Sequence, residues 1–164
     1  ISLFTALLCV LSPFAVTLPI SPVPLTLGSF VLYLTVYIIG FKKSLISFLL
    51  YLLLGFVGLP VFAGFTSGPA KLIGPTGGYL IGELFLILLL GLFMKSSYLL
   101  GLILGTLACY FFGTLWLSLL HQIPFTAAIG IGVLPYLPLD AIKILGAILL
   151  APRIRVRLNR AKLL

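Results

Sequence analysis

Asp140 and Lys143 carry opposite charges three residues apart, at the head of a segment that is otherwise apolar enough to cross a membrane. Residues three apart on a helix share a face, so both side chains can reach one ligand. Ionisable side chains are costly in hydrocarbon and usually turn inward, pair with one another or mark a substrate pathway. The pattern predicts a site for a small, polar, anionic ligand. The alternative is a structural ion pair, since a buried pair can do no more than offset its own desolvation.

The connection over residues 60–78 is the second candidate feature, because it is rich in Gly and Pro. Irregular backbone at membrane depth survives only where it is buried in protein or lines a wet cavity. Glycine also lets backbone N–H donors approach a ligand closely. We therefore expect this connection to close over a cavity, with a plain extracellular loop as the alternative.

Support for catalysis is weak. His121 is the only histidine, and no Ser or Cys stands at a recognisable spacing from a base. Cys9 and Cys109 lie in apolar runs without metal-ligand spacing, so we expect neither a metal nor another cofactor. The competing interpretation is an integral membrane enzyme acting on a lipid-like substrate, with Glu83, Asp140 and His121 as its polar groups. A pore or scaffold without a ligand is a third.

The composition requires a membrane environment for these residues. The chain is 62% hydrophobic and 7% charged, whereas an ordinary soluble domain is about 25% charged. At about 20 residues per spanning helix, residues 1–164 predict one all-α domain of six transmembrane helices. Gly, Pro and Lys residues interrupt the apolar sequence and divide it into segments near residues 1–18, 25–39, 44–59, 79–94, 97–120 and 135–151.

The cations are distributed unevenly between the connections. They follow the second, fourth and sixth segments, and only Lys71 falls in an odd-numbered connection. The positive-inside rule then predicts a multi-pass protein of the cytoplasmic (inner) membrane with both termini in the cytoplasm, and the connections 19–24, 60–78 and 121–134 outside. The tail with Arg153, Arg155, Arg157, Arg160 and Lys162 is interpreted as a topology anchor at anionic membrane lipid, and no nucleic-acid partner is expected.

Small residues recur every four positions in the fifth segment, at Gly101, Gly105, Cys109 and Gly113. Such a ridge lets another helix approach closely. A helix of the same chain is the preferred neighbour, and a partner subunit is the alternative.

Four strings resemble the BioY family, whose members are the biotin-binding S components of energy-coupling-factor (ECF) vitamin transporters. They are residues 19–26 (PISPVPLT), 58–62 (GLPVF), 71–82 (KLIGPTGGYLIG) and 138–143 (PLDAIK), in the right order over nearly the whole chain. The resemblance implies a six-helix protein for high-affinity biotin capture and uptake, with an outward pocket roofed by the connections after helices one, three and five. Leu139, where a Gly is expected, and Glu83, where the family is usually apolar or aromatic, depart from the pattern.

The resemblance also implies partners. The chain has no phosphate-loop motif, so an ECF transmembrane subunit and ATPase subunits supplied by other chains are expected to provide the energy. The Ala-x-x-x-Ala pattern by which S components contact the transmembrane subunit is replaced by small residues at the same spacing, namely Ser2, Thr5, Ala6 and Cys9.

Biotin requires acceptors for its ureido N–H groups, apolar walls for its rings and a donor or cation for its carboxylate. Asp140 can accept, and Lys143 or Lys71 can donate and compensate charge. Aromatic walls are available from Phe62, Phe65 and Tyr79. Glu83 could pair with Lys143, but we favour its extending toward water because it falls near the outer end of its helix. The predicted substrate-binding residues are Asp140, Lys143, Tyr79, Lys71 and Phe62.

Overall fold

The computed structural model describes residues 1–161. The regular elements in this part of the chain are helices, apart from one hairpin of two short strands. Its elements are α1 (Ser2–Leu11), β1 (Ala15–Val16), β2 (Leu25–Thr26), α2 (Gly28–Ile39), α3 (Phe41–Val57), α4 (Pro69–Ile73), α5 (Gly77–Phe93), α6 (Tyr98–His121), α7 (Phe125–Gly132) and α8 (Leu137–Arg160).

The first apolar segment departs from the prediction, because residues 1–18 do not form one helix. Helix α1 ends at Leu11. Pro13 lacks the N–H that would continue the helical hydrogen bonds. The chain then enters β1, which pairs antiparallel with β2 and sets Ala15 opposite Thr26. The predicted outer connection 19–24 therefore lies within the loop of this hairpin, residues 17–24.

Length and composition identify one helix among residues 1–161, α6, that could cross a membrane by itself. The pair α7 and α8 would count as a second span if taken together, although the two helices are bent by 56° at their break. Helices α1, α2 and α5 are apolar but shorter, at 10 to 17 residues. Large apolar side chains nevertheless cover the outer faces, among them Val57 at 75%, Leu119 at 69% and Leu92 at 66% exposure. An apolar surface of this extent is typical of a protein in contact with lipid.

Helices α5 and α6 pack closely because glycine removes side chains from their contact. A Cβ added at Gly82 would lie 2.7 Å from the Cα of Cys109, and one at Gly105 would lie 3.1 Å from the carbonyl oxygen of Leu86. Gly101 meets Leu90 in the same way. The small-residue ridge of α6 is therefore filled by a helix of the same chain, as preferred above.

The connection over residues 60–78 contains the short helix α4 and is fastened at three places. Gly64 donates its N–H to the Pro13 carbonyl at 2.9 Å, and Gly68 donates to the Gly55 carbonyl at 2.8 Å. The Trp116 indole on α6 donates to the Gly74 carbonyl at 3.0 Å. These bonds hold the connection across the ends of α1, α3 and α6.

Helix α8 continues through Pro152 into the basic tail. Arg155 donates to the Tyr37 carbonyl at 3.3 Å and lies 5.7 Å from the centre of the Tyr37 ring. The tail thus extends α8 and contacts the end of α2, while Lys162 lies outside the described residues.

Candidate functional site

A cavity of about 110 Å³ lies beneath the connection over residues 60–78. It is enclosed by α1, α2, α3, α5, α6 and α8. By the same measure one water needs about 10 to 15 Å³, so the cavity can take several waters or a comparable part of a small organic molecule. The side chains of Asp140, Lys143, Tyr79, Lys71 and Phe62 all lie on its wall. The fold therefore brings together the five residues selected from the sequence.

Asp140 and Lys143 form an ion pair with 2.8 Å between Oδ1 and Nζ, and their side chains are 13% and 11% exposed. Lys143 also donates to the Ser29 hydroxyl on α2 at 3.2 Å. The other carboxylate oxygen of Asp140 accepts from the Tyr110 hydroxyl on α6 at 2.5 Å. The pair predicted from spacing within α8 is thus the centre of a polar network that joins three helices.

The two aromatic side chains on the cavity wall are held by different contacts. Tyr79 donates its hydroxyl to the Gly132 carbonyl at 2.8 Å, so its ring is the part that remains for a ligand. Phe62 is 2% exposed and packs edge-on against Tyr51, with 5.5 Å between ring centres. It lies against Gly55, where any side chain would collide with its ring.

Phe65 was expected as a third aromatic wall, and that expectation is wrong. It does not line the cavity. Its side chain is 60% exposed and packs against Phe14, with 5.4 Å between ring centres. The backbone of Phe65 has a φ of 56°, a left-handed conformation that sequence patterns rarely signal for an aromatic residue.

Lys71 is half-buried on α4. Burial lowers the pKa of its ammonium group below the ordinary value, because desolvation disfavours the charged form. Within residues 1–161 no carboxylate lies at ion-pair distance from it. An anion bound beside Lys71 would offset this desolvation.

Glu83 was expected to extend toward water, but the structure directs it to the cavity wall. It lies four residues after Tyr79 on α5, and positions four apart share a helix face. The alternative pairing with Lys143 does not occur, since the ammonium group of Lys143 is bound to Asp140 and Ser29.

Sequence reasoning missed Tyr110, although a signal was available. Thr106, Tyr110 and Thr114 recur every four residues along α6 and so form a polar stripe on an otherwise apolar helix. Thr106 also lines the cavity and forms a hydrogen bond with the Tyr33 hydroxyl, with 2.7 Å between the oxygens.

The remaining polar groups do not add to the site. His121 is exposed, and residues 1–161 contain no group of three or more His, Cys, Asp or Glu able to hold a metal.

A sequence model described as the BioY family matches residues 1–160. The chain belongs to the BioY family. This confirms the resemblance drawn from the four strings, all of which lie inside the matched region.

Individual relatives of this BioY-family chain agree with the family match. It is 37% identical to the probable biotin transporter BioY of Pyrococcus horikoshii, over 94% of this chain and 93% of the relative. It is 36% identical to the biotin transporter BioY of Thermotoga maritima, over 93% and 92% respectively.

A solved structure is similar as well. The crystal structure of the S-component for biotin from an ECF-type ABC transporter superposes with a TM-score of 0.85 at 30% identity, covering 93% of this chain and 87% of the other. Because this similarity extends over nearly the whole length, the helical architecture of the two proteins is the same. BioY-family membership also makes this chain a membrane transport protein.

Proposed function

We propose that this chain captures biotin with high affinity and takes it up across the cytoplasmic membrane, as the substrate-binding S component of an ECF-type transporter. One observation carries the proposal: in a chain of the BioY family, the ion pair of Asp140 and Lys143 lies on the wall of a cavity together with Tyr79, Lys71 and Phe62. A lipid-modifying enzyme is not favoured, since His121 is not on that wall.

The contacts around Asp140 and Lys143 leave capacity for a ligand. An ionised carboxylate offers about four lone-pair sites and an ammonium group three donors. Asp140 uses one site for Lys143 and one for Tyr110, while Lys143 donates to Asp140 and Ser29. In the proposed complex Asp140 accepts from the ureido group of biotin, and the third donor of Lys143 orients either Asp140 or the ligand.

The remainder of biotin would lie along the aromatic wall toward the roof. Phe62 and the ring face of Tyr79 provide apolar surface for the fused rings. Lys71 lies in the connection above them and is the proposed partner of the valerate carboxylate, because an anion there would compensate a partly desolvated ammonium group.

Six spans in one domain are proposed for the membrane orientation, formed by α1, α2, α3, α5, α6 and α8, with both termini in the cytoplasm. Lys42 and Lys43 at the start of α3, Lys95 after α5 and the basic end of α8 support this orientation through the positive-inside rule. Thirteen residues separate Asp140 from Arg153 within α8, which is about 20 Å at about 1.5 Å per residue. The cavity would then lie in the outer half of the membrane.

Partner subunits are proposed to supply the motive force and to dock on α1. The small residues of α1 divide between two faces. Thr5 is buried and donates to the Ser47 carbonyl of α3 at 3.2 Å, whereas Ser2 and Ala6 are exposed. Ser2 and Ala6 are therefore the proposed contact with the ECF transmembrane subunit, while the ridge of α6 is occupied by α5.

Labelled biotin retained by the purified chain tests the proposal. We expect retention in detergent or lipid nanodiscs without added ATPase or transmembrane subunits, and displacement by unlabelled biotin but not by an unrelated vitamin such as riboflavin. A chain that is folded and monodisperse yet retains no biotin would refute the proposed function.

A further inference from the structure

Glu83 is the acidic residue of the cavity that takes no part in the polar network around Asp140. Its half-buried side chain lines the cavity from α5, and within residues 1–161 neither a hydrogen bond nor an ion pair joins its carboxylate to another side chain. A carboxylate away from bulk water is costly unless donors surround it. The cavity is therefore the place from which Glu83 can obtain donors.

Most of the surrounding charged and polar groups are bound elsewhere, while the Ser12 and Tyr51 hydroxyls also lie on the cavity wall but form no hydrogen bond with Glu83. Lys143 is bound to Asp140 and Ser29, and Tyr110 donates to Asp140. On the other walls, Tyr79 donates to a backbone carbonyl and the Tyr33 hydroxyl bonds Thr106. Among the cations of the cavity this leaves Lys71, which belongs to the roof and forms no ion pair with Glu83.

Asp140 and Glu83 thus differ in what they can offer a ligand. Both oxygens of Asp140 already accept a protein donor, so about two of its four lone-pair sites are left, whereas those of Glu83 are all open. A cyclic urea has two N–H donors, and a single carboxylate engaged on both oxygens is a poor partner for both. A second acceptor would complete the set.

We infer that Glu83 is a specificity-determining residue that accepts one ureido N–H of the bound ligand, while Asp140 accepts the other. This rests on the proposed function, because it presumes a ligand with a cyclic urea at one end and a carboxylate near Lys71. A carboxyl oxygen can accept an N–H in either protonation state of the group. Glu83 therefore selects for an unsubstituted urea and contributes affinity that no apolar residue at this position could.

Binding by the parent chain is compared with Glu83→Leu and Glu83→Gln, using biotin and biotin methylated on a ureido nitrogen. We expect Glu83→Leu to weaken biotin binding at least tenfold, about 1.4 kcal/mol, and Glu83→Gln to lie between it and the parent. The parent should prefer biotin over the methylated analogue, and Glu83→Leu should lose most of that preference, because the two changes remove the same hydrogen bond.

Stability separates this role from a structural one. A half-buried polar group without a hydrogen-bond partner costs free energy, so Glu83→Leu should unfold at or above the temperature of the parent while binding more weakly. Leu88→Ala is the matched control, since Leu88 is 39% exposed on the same helix and does not line the cavity; it should bind as the parent does.

The outcomes distinguish the proposed function from the role of Glu83. If the folded parent retains no biotin, the proposed function fails and this inference with it. If the parent binds but Glu83→Leu stays within twofold, or keeps the full preference for biotin over the methylated analogue, the role of Glu83 alone is refuted.

Discussion

Removing the charge of Lys143 tests the site most directly. The substitution Lys143→Met keeps an unbranched side chain of similar length but deletes the ammonium group that contacts Asp140 at 2.8 Å and Ser29 at 3.2 Å. Asp140, 13% exposed, would then be held by Tyr110 alone. Breaking a buried pair on one side costs about 3 to 5 kcal/mol, because the other charge is left uncompensated.

Truncating one partner of a buried, hydrogen-bonded charge pair at a binding site costs about 2 to 5 kcal/mol of binding free energy as well. At about 1.4 kcal/mol per factor of ten, Lys143→Met and Asp140→Asn should each weaken biotin binding by two orders of magnitude or more. The assay is isothermal titration or retention of labelled biotin by the purified chain. Lys95→Met is the matched control, because Lys95 is exposed outside the cavity; it should bind within twofold of the parent.

The double variant Asp140→Asn with Lys143→Met separates ligand binding from a structural pair. It removes both charges, so the unfolding temperature should recover relative to either single variant, yet biotin binding should not recover. Affinities of the single variants within about threefold of the parent, a difference below about 1 kcal/mol, would refute the reasoning. Asp140 and Lys143 would then only fasten α8, and the biotin site would lie elsewhere.

Three further predictions concern orientation, packing and energy. In a cysteine-free background, a cysteine at Lys71 should react with an impermeant thiol reagent from outside sealed cells, and one at Lys95 only from inside; the reverse would contradict the positive-inside assignment. Gly82→Ala should destabilise the chain by about 1 to 3 kcal/mol in thermal unfolding, because its Cβ would lie 2.7 Å from a backbone atom of α6. The control Gly130→Ala has nothing within 4 Å, and equal effects would argue against this packing. Liposomes containing this chain alone should bind biotin but not concentrate it, so uphill accumulation without partners or an ion gradient would disprove the need for ATPase subunits.

The Asp140 and Lys143 pair could be predicted because it depends on local geometry. Positions three apart on α8 share a face whatever the rest of the fold does, and hydrocarbon penalises isolated charges. The same holds for the glycine ridge of α6, whose spacing predicts close helix contact. The positions of α2, α3, α5, α6 and α8 followed largely from apolar runs interrupted by Gly, Pro and Lys, whereas the short helices α4 and α7 lie in predicted connections.

The first segment shows where composition is insufficient. Residues 1–18 are apolar throughout, but a single missing N–H at Pro13 ends the helix. The chain after it forms a hairpin whose second strand, Leu25–Thr26, lies well beyond the predicted segment. Hydrophobicity describes how strongly a segment prefers lipid. It carries no information about the helical hydrogen bond that Pro13 cannot donate.

Tertiary structure decided which other side chains meet the pair. Tyr110 reaches Asp140 across 30 residues of sequence, and Ser29 reaches Lys143 across 114, so neither contact follows from local spacing. The direction of Glu83 depends on the rotation of α5, which the contact of Gly82 with Cys109 determines. Spacing within one helix establishes which residues share a face, but packing against a second helix is needed to turn that face toward a cavity or toward lipid.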